Sequence, residues 1–230
     1  MILKNRKFFT ITIDGPAGAG KSTIARLVAG KLGFEYLDTG ALYRAVTLYL
    51  LNEGVPPVDS PRLRQALRGV SVRIDSERVY VNGEDLSSQI RSLKVERKVS
   101  AYAMLPAVRK KLLKIQQEHA SRCDMVADGR DMGTTVFPEA NLKIYLVASL
   151  TTRAFRRWKD LEATGVRTSL EEVQKQVRER DKVDTNRSQS PLRVPSGAQI
   201  IDTSEKAISE VVDIIIEKAA RFRKERRNNP

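Results

Sequence analysis

Residues Gly15–Ser22 carry the clearest chemical signature in this sequence. They read Gly-Pro-Ala-Gly-Ala-Gly-Lys-Ser and fit G-x-x-x-x-G-K-[ST], a loop whose successive backbone N–H groups turn inward around a polyphosphate. Lys21 would bring a positive charge to the β- and γ-phosphates, and the Ser22 hydroxyl could ligate Mg²⁺. At average composition the pattern arises by chance in about one chain of this length in a hundred. The loop therefore predicts a nucleoside triphosphate site, provided that its flanks have the right structure.

The segments before and after this loop predict a strand and a helix. Phe8–Ile13 is an apolar run typical of a buried strand, and it leads directly into the loop. Apolar residues then recur at helical spacing, and Gly33 stands where such a helix would end. A strand, a loop and a helix in this order are the context that the motif requires. We assign triphosphate binding to Gly15, Pro16, Ala17, Gly18, Ala19, Gly20, Lys21, Ser22 and Thr23.

A second polar cluster, Asp38–Arg44, follows the next predicted strand. Ligands of open α/β sheets bind at the carboxyl ends of the strands, which is where this cluster falls. Arg44 could clamp an anion through two parallel hydrogen bonds. The alternative is an exposed arginine on an amphipathic helix, which would be the default for one such residue.

A third cluster, Ala127–Thr134, reads Ala-Asp-Gly-Arg-Asp-Met-Gly-Thr and follows an apolar strand. Asp128 and Asp131 flank Arg130, with glycines on both sides. An ordinary turn does not need three charges, so the pattern favours a substrate or metal site at this sheet edge.

Two groups of charged residues lie further along the chain. Arg153 and Arg157 are four residues apart and share a helix face, together with Arg156 beside them. Like charges on one face repel unless an anion lies between them, and a triphosphate would serve; a solvated basic face is the alternative.

The segment 178–187 places Arg180, Asp184 and Arg187 at i, i+4 and i+7, which is one stripe if a helix continues through it. Such a stripe could hydrogen-bond ribose hydroxyls and a phosphate. A surface helix with intrahelical ion pairs fits equally well, and the residues alone do not decide between the two.

Four other residues suggest no function by their type alone. Ser100 and Arg109 are separated by Pro106, so we expect them on two helices that meet at a corner. Cys123 is the sole cysteine, which excludes an intrachain disulfide and is compatible with a reducing cytosol. His119 is the sole histidine and lacks a neighbouring cluster of metal ligands, so we expect it on a helix surface.

The elements that must position these residues alternate between strand and helix, which predicts a mostly parallel sheet covered on both faces. We expect core strands near 8–13, 34–37, 124–128, 143–147 and 198–202. We expect helices at 21–32, 41–52, 61–68, 92–104, 107–120, 152–164, 169–180 and 205–223. Residues 70–90 break the alternation, because two period-two segments and the turn signal Asn82-Gly83 predict a small antiparallel insert. That insert could belong to a moving lobe or be a hairpin without contact to substrate.

The formal charge of +13 over 230 residues favours polyanionic partners, including nucleic acid, acidic membranes and phosphorylated small molecules. Part of the charge lies in Arg221–Arg227, which we read as a frayed, solvated helix end. No apolar run of about 18 residues exists, so we expect no membrane span. The first residues lack an apolar stretch followed by a cleavage site, so we expect no secretion signal and a cytoplasmic location.

Taken together, these motifs resemble the bacterial cytidylate (CMP/dCMP) kinases, which are P-loop nucleoside monophosphate kinases. The resemblance extends from about residue 10 to residue 203, and the two most specific stretches are Asp38–Arg44 and Asp128–Thr134. The matching stretches are Ile13–Thr23, Asp38–Arg44, Asp128–Thr134 with Val136–Pro138, and Glu179–Asp181 with Asp184, Arg187 and Ser190–Leu192. The first residues and the basic tail lie outside it.

The resemblance implies a role for each matching position. Ser100, Arg109 and Asp131 fall where the family reads the cytosine ring, and Thr39 lies beside that pocket. Other positions match residues that hold the monophosphate or the ribose, or that close over the triphosphate. The substrate set implied is Thr39, Arg44, Ser100, Arg109, Asp128, Arg130, Asp131, Arg180, Asp184 and Arg187. The catalytic set implied is Lys21, Arg130, Arg153 and Arg157, with Ser22 as the metal ligand.

The implied reaction moves the γ-phosphoryl group of ATP, with Mg²⁺, onto CMP or dCMP. We expect one P-loop domain over 1–230, with a five-stranded parallel sheet in a three-layer α/β fold. Its core would be about 8–59, 96–150 and 190–223, its monophosphate-binding lobe about 60–95 and its helical lid about 151–189. We expect a monomer that binds neither nucleic acid as a main role nor membranes.

Two alternatives to this reaction remain from the residues. One is a P-loop kinase for a different small acceptor, such as another nucleotide or a hydroxylated metabolite. The other is a GTPase or a nucleic-acid-associated ATPase, suggested by the net charge. No Asn-Lys-x-Asp guanine motif and no aromatic-rich basic strand occur in the sequence, which speaks against the second.

Overall fold

The computed structural model describes residues 8–75 and 78–228. The expectation of no secretion signal concerns residues 1–7, which lie outside the described residues. Contacts divide the described chain into two compact units. We call Leu37–Cys123 the helical unit, and we call Phe9–Tyr36 with the chain from Asp124 onward the phosphate-loop unit.

Eight strands form two sheets within the described residues. The strands are β1 (Thr10–Asp14), β2 (Glu35–Asp38), β3 (Val72–Asp75), β4 (Arg78–Val81), β5 (Glu84–Asp85), β6 (Met125–Gly129), β7 (Leu142–Val147) and β8 (Gln199–Asp202). The larger sheet has five strands in the order β2-β6-β1-β7-β8, and β1 runs parallel to both of its neighbours. The five predicted core strands and their parallel arrangement are therefore confirmed.

The apolar run before the loop is buried because β1 lies in the middle of this sheet. Ile11 and Ile13 are fully buried, as expected for a strand with neighbours on both sides and helices on its faces. Val28 of the following helix and Ile215 of the last helix complete the same core cluster. This packing fixes the strand whose carboxyl end carries the phosphate loop.

Nine α-helices surround these sheets within the described residues. They are α1 (Lys21–Leu32), α2 (Thr39–Asn52), α3 (Pro61–Gly69), α4 (Leu93–Glu96), α5 (Val99–Ala103), α6 (Pro106–Ala120), α7 (Leu150–Ala163), α8 (Leu170–Asn186) and α9 (Ile208–Asn228). None of them is long and apolar enough to span a membrane. The helix α9 continues through the basic segment, five residues past its predicted end at 223.

Two of the predicted helices differ from the structure. The single helix predicted at 92–104 is divided into α4 and α5, with a turn in which the N–H of Lys98 donates to the carbonyl of Val95. The helix predicted to end at 180 continues to Asn186. The buried face of α8 consists of Val173, Val177 and Asp184. Its last buried position is therefore a carboxylate, and no apolar residue there shows from the sequence that the helix continues.

The predicted insert is a three-stranded antiparallel sheet in the helical unit, in the order β3-β4-β5. Asn82 and Gly83 link β4 to β5 with φ angles of 51° and 90°. Positive φ at both central residues is the geometry of a two-residue hairpin turn that Asn-Gly favours. The antiparallel insert and its turn are therefore confirmed, and α2 packs against β3 and β4.

Candidate active site

The phosphate loop depends on glycines because other backbone segments lie against it. A Cβ on Gly15, whose φ is +149°, would lie 2.2 Å from the carbonyl oxygen of Leu146 in β7. A Cβ on Gly18, whose φ is +77°, would lie 2.8 Å from the carbonyl oxygen of Arg153 in α7. Larger residues are therefore excluded by both conformation and space.

Lys21 is the first residue of α1, and its ammonium lies inside the loop. Its Nζ donates to the carbonyl of Pro16 at 2.7 Å, and its side chain is buried. Burial lowers the pKa of Lys21 well below its ordinary value, and the positive charge of Arg130 lowers it further. The carboxylate of Asp128 acts in the opposite direction. A bound polyphosphate would add negative charge beside this group and favour its charged form.

Asp128 is buried near the carboxyl end of β6, and its two carboxylate oxygens accept hydrogen bonds from hydroxyl groups. The hydroxyl of Ser22 donates to its Oδ2 at 2.8 Å, and the hydroxyl of Tyr36 donates to its Oδ1 at 2.9 Å. No group of three or more Cys, His, Asp or Glu side chains suited to a metal occurs among residues 8–75 and 78–228. One carboxylate beside one hydroxyl nevertheless fits Mg²⁺, which usually takes one or two carboxylates, waters and substrate phosphates.

Four charged side chains form a continuous network in the phosphate-loop unit. Nε of Arg130 donates to Oδ2 of Asp184 at 2.9 Å. Arg187, the residue that follows α8, lies 3.9 Å from Oδ1 of Asp184 and donates to Oδ1 of Asp131 at 3.4 Å. The network thus brings together residues that were predicted from two separate motifs.

Burial and charge oppose each other at Asp184. Burial alone would raise the pKa of its carboxyl group, but the nearby charges of Arg130, Arg180 and Arg187 outweigh it, so the pKa is lowered. Asp184 is therefore ionised at neutral pH and holds the arginines around it. Two of these, Arg130 and Arg187, are fixed by hydrogen bonds before any ligand is bound.

Arg153 is buried in the first turn of α7 and contacts the loop directly. Its guanidinium donates to the carbonyl of Ala17 at 3.1 Å, to Oδ2 of Asp181 at 2.7 Å and to the carbonyl of Ala148 at 3.0 Å. Arg157 lies one turn further on and is half-buried. The two arginines predicted to share a helix face thus differ in environment. Arg153 is hydrogen-bonded to the backbone of the loop, whereas Arg157 is partly exposed.

Other predicted residues lie in the helical unit. Asp38 caps α2 by accepting from the N–H of Ala41 at 2.8 Å, and it also accepts from Arg44 at 3.2 Å. The guanidinium of Arg109 in α6 lies 5.7 Å from the ring centre of Tyr43 in α2. The helix corner expected at Pro106 is present, since Ser100 lies in α5 and Arg109 in α6. Thr39 is buried at the start of α2.

Several residues of the phosphate-loop unit were not singled out from the sequence. Asp14 is fully buried and accepts from two backbone N–H groups, and Tyr36 donates to Asp128. Thr203 donates to the carbonyl of Ala19 at 3.2 Å and accepts from Arg156. Asp14 and Thr203 could have been found by their position, because each stands at the carboxyl end of a predicted strand.

Comparison with known proteins gives a consistent result. The family model described as cytidylate kinase matches residues 11–221. A cytidylate kinase from Caldanaerobacter subterraneus subsp. tengcongensis is 45% identical over 207 residues, covering 90% of this chain and 92% of that protein. A cytidylate kinase from Pelotomaculum thermopropionicum is 44% identical over 223 residues, covering 95% of this chain and 99% of that protein.

Among solved structures, a gluconokinase from Sinorhizobium meliloti 1021 is similar with a TM-score of 0.50 at 15% identity, covering 96% of each chain. That likeness concerns the fold alone, which is the P-loop kinase fold of a parallel sheet with surrounding helices. The family model covers most of the sequence, and the two curated relatives match it over nearly their full lengths. The chain belongs to the cytidylate kinase family.

Proposed function

We propose that the protein transfers the γ-phosphoryl group of ATP to the phosphate of CMP or dCMP, giving CDP or dCDP and ADP. The family membership and the names of its relatives support this reaction. The observation that carries it in the structure is the network of Arg130, Asp184, Arg187 and Asp131, in the same unit as the phosphate loop. Its guanidinium groups are suited to binding a phosphate, and the fixed carboxylate of Asp131 is suited to hydrogen bonding with a base.

The protein's contribution to this reaction is positioning and charge. A phosphate monoester has a second pKa of about 6, so the acceptor is largely a dianion at neutral pH and needs no general base. The approach of two anions is instead opposed by repulsion, which cations must offset. Lys21 and Arg130 supply positive charge on the phosphate-loop unit, and we assign Arg153 and Arg157 to the triphosphate.

The choice of cytosine is assigned to Asp131. Its carboxylate is buried and held by Arg187, so it presents only acceptors. The exocyclic amino group of cytosine is a donor, whereas uracil has an acceptor oxygen at the same place. A site built for that hydrogen bond rejects the analogue that lacks the donor. The resemblance assigns Ser100, Arg109 and Thr39 of the helical unit to the same nucleotide.

The remaining substrate residues are assigned to the phosphate and the ribose of CMP. Arg44 and Arg130 match the phosphate clamps, and Arg180, Asp184 and Arg187 match residues around the ribose and phosphate. Arg44 is held by Asp38 in the protein alone, which keeps its guanidinium in place without a ligand. We expect the protein to act as a monomer in the cytoplasm.

Ser22 and Asp128 are the residues that would hold Mg²⁺, because their oxygens already lie 2.8 Å apart. When bound, the ion would supply positive charge to the phosphate oxygens. Ser22 would hold the ion through its hydroxyl oxygen, and Asp128 through the carboxylate oxygen that accepts from Ser22 in the protein alone. Tyr36 keeps the other carboxylate oxygen of Asp128 in position.

Water must be excluded, because ATP would otherwise be hydrolysed. We propose that residues 60–95 form a monophosphate-binding lobe and residues 151–189 a lid, with Gly165 as a hinge. CMP should then slow hydrogen exchange in 60–95, and ATP should slow it in 151–189. Unchanged exchange in both segments would contradict closure while leaving the reaction itself in place.

The reaction is tested by measuring ADP release over a set of acceptors, with the Arg130→Ala and Asp131→Ala variants in parallel. We expect CMP and dCMP to be phosphorylated and UMP to be a poor acceptor. Arg130→Ala should slow transfer to every acceptor, whereas Asp131→Ala should mainly remove the preference for cytosine. Equal rates with UMP and CMP in the unmodified enzyme would overturn the assignment of the base.

A further inference from the structure

Asp14 is a fully buried carboxylate to which the proposed reaction gives no role. It is the last residue of β1 and directly precedes the phosphate loop. Its Oδ1 accepts from the N–H of Met132 at 2.9 Å, and its Oδ2 accepts from the N–H of Gly133 at 2.8 Å. Both carboxylate oxygens are therefore committed to the backbone that follows Asp131.

These two N–H groups begin a short π-helical turn, Met132–Val136. The first N–H groups of a helical turn have no acceptor within the turn, and leaving them unpaired in the interior is costly. Asp14, at the end of β1, supplies an acceptor oxygen to each of these two N–H groups. The other end of the turn closes on itself, since the carbonyl of Asp131 accepts from the N–H groups of Thr135 and Val136 at 2.9 and 3.2 Å.

Gly133 of this turn is closely packed against two other segments of the chain. A Cβ on Gly133 would lie 2.8 Å from Cγ of Pro195 and 3.0 Å from Oγ1 of Thr12. The turn therefore cannot shift toward Pro195 or Thr12 without a collision. Asp14 holds it in place, and Asp131 is the residue that enters the turn.

Charge rather than shape explains why an aspartate stands at this position. An asparagine has nearly the same shape but only one acceptor oxygen, and its amide would direct N–H groups toward a second N–H group. Two backbone donors at the two oxygens require a carboxylate. Burial of a carboxylate costs free energy unless the group is hydrogen-bonded, so its presence here indicates that both hydrogen bonds are needed.

We infer that Asp14 is a positioning residue that sets the selectivity for cytosine by anchoring the Met132–Val136 turn and thereby fixing the carboxylate of Asp131. The inference rests on the proposed reading of cytosine by Asp131. Asp14 acts through that residue and touches neither nucleotide. Loss of the anchor therefore affects the choice between CMP and UMP more than the use of ATP.

The test compares Asp14→Asn with Ile11→Val, a control on the same strand. Ile11 is also fully buried, but its side chain packs in the core cluster on the opposite face of the strand from Asp14, so the smaller side chain should leave the turn in place. Two quantities are measured: hydrogen exchange at the N–H groups of Met132 and Gly133, and the ratio of kcat/KM for CMP to that for UMP. The KM for ATP is recorded alongside.

In Asp14→Asn we expect both N–H groups to exchange at least tenfold faster and the CMP:UMP ratio to fall at least tenfold, with the KM for ATP within about threefold. An unchanged ratio would overturn the inference, and so would a ratio that falls only in step with ATP use, because that indicates damage to the phosphate loop. An unmodified enzyme without preference for CMP would instead overturn the proposed reading of cytosine by Asp131.

A second variant covers the case in which Asp14→Asn does not fold. Gly133→Ala displaces the same turn from the side of Pro195 and leaves Asp14 and the phosphate loop unchanged in sequence. We expect the same loss of selectivity in this variant. A full CMP preference in Gly133→Ala would show that the position of the turn does not control the choice of base, and the inference would be wrong.

Discussion

Arg130 and Asp184 lie 54 positions apart in the sequence, yet Nε of the arginine donates to the carboxylate at 2.9 Å. The carboxylate also lies 3.9 Å from the guanidinium of Arg187, so two cations are held around one anion. Cations that are arranged before the substrate binds need no reorganisation during phosphoryl transfer. This preorganisation predicts how variants of the network should behave.

Removal of Arg130 should be the most damaging change in the network. We expect Arg130→Ala to lower kcat by about 10³-fold, as loss of a charge-stabilising arginine does in related phosphoryl transfers. Asp184→Asn keeps the arginine but removes its charged partner, so its kcat should lie between that variant and the unmodified enzyme. Steady-state kinetics with saturating ATP measures the order. Arg122→Ala, at an exposed position, serves as the control and should change kcat less than twofold, by analogy with other exposed sites.

Asp131→Asn should weaken the preference for cytosine and favour uracil. The asparagine amide can donate to the uracil oxygen, while it loses the second acceptor oxygen and the charge offered to the cytosine amino group. We expect the CMP:UMP ratio of kcat/KM to fall by about 10³-fold or more, within the range by which hydrogen-bonding sites reject the wrong partner. Asp213→Asn, whose side chain is 61% exposed, is the matched control. A ratio that stays constant in Asp131→Asn would rule out this residue as the reader of the base.

Gly18→Ala and Gly197→Ala separate steric from conformational effects. The two glycines have nearly equal φ angles of +77° and +72°, so alanine should cost each about 1–2 kcal/mol of backbone strain. A Cβ on Gly18 would meet the backbone of Arg153, whereas no atom of the described residues lies within 4 Å of a Cβ on Gly197.

We therefore expect both variants to melt a few degrees lower, about 2–4 °C for each kcal/mol. Only Gly18→Ala should raise the KM for ATP, by about tenfold or more, because the loop and Arg153 must move apart. Thermal unfolding and ATP titration measure the two effects. Equal ATP kinetics in the two variants would show that the contact between the loop and Arg153 is dispensable.

The stability of the fold should depend on pH through Asp14. Burial raises the pKa of its carboxyl group to about 6 from an ordinary value of 3.8, although the hydrogen bonds from the N–H groups of Gly133 and Met132 lower it; Asp131 raises it and Lys21 lowers it. Asp14 in turn helps to raise the pKa of Tyr145. Between pH 3.8 and about 6 the folded state holds a proton that the unfolded state has lost. The free energy of unfolding therefore falls as pH rises through this window, by about 3 kcal/mol from this group.

Asp14→Asn has no such proton, so urea unfolding of the two proteins between pH 4 and 7 isolates the contribution. We expect the difference in unfolding free energy to shift in favour of the variant by about 3 kcal/mol across the window. Curves that stay parallel would show that Asp14 titrates at its ordinary pKa. Comparison of the two proteins cancels groups that titrate equally in both.

The elements of the fold could be predicted from the sequence because their signals are local. Apolar runs marked the five core strands, and Asn82-Gly83 marked a turn that needs two positive φ angles. The end of α8 was missed because its buried stripe passes through Asp184, a polar residue. The division between α4 and α5 was missed because no proline or glycine stands between them.

Part of the site could also be predicted from local signals in the sequence. The phosphate loop is one contiguous segment, so its glycines, lysine and serine could be read directly. The contact between Arg130, which follows β6, and Asp184 in α8 joins residues 54 positions apart, and no spacing rule gives it. The two hydrogen bonds of Asp14 go to a distant backbone, so its place at the end of a strand can be read from the sequence but its partners cannot.

A competition experiment decides whether the enzyme phosphorylates cytidylate in preference to uridylate. Equimolar CMP and UMP are incubated together with ATP, Mg²⁺ and the unmodified protein, and ³¹P NMR follows the β-phosphate signals of the products. We predict that CDP accumulates while UMP remains almost unchanged until CMP is consumed. Simultaneous formation of CDP and UDP would contradict the preference for cytosine. Release of inorganic phosphate without either diphosphate would contradict phosphoryl transfer to a nucleotide.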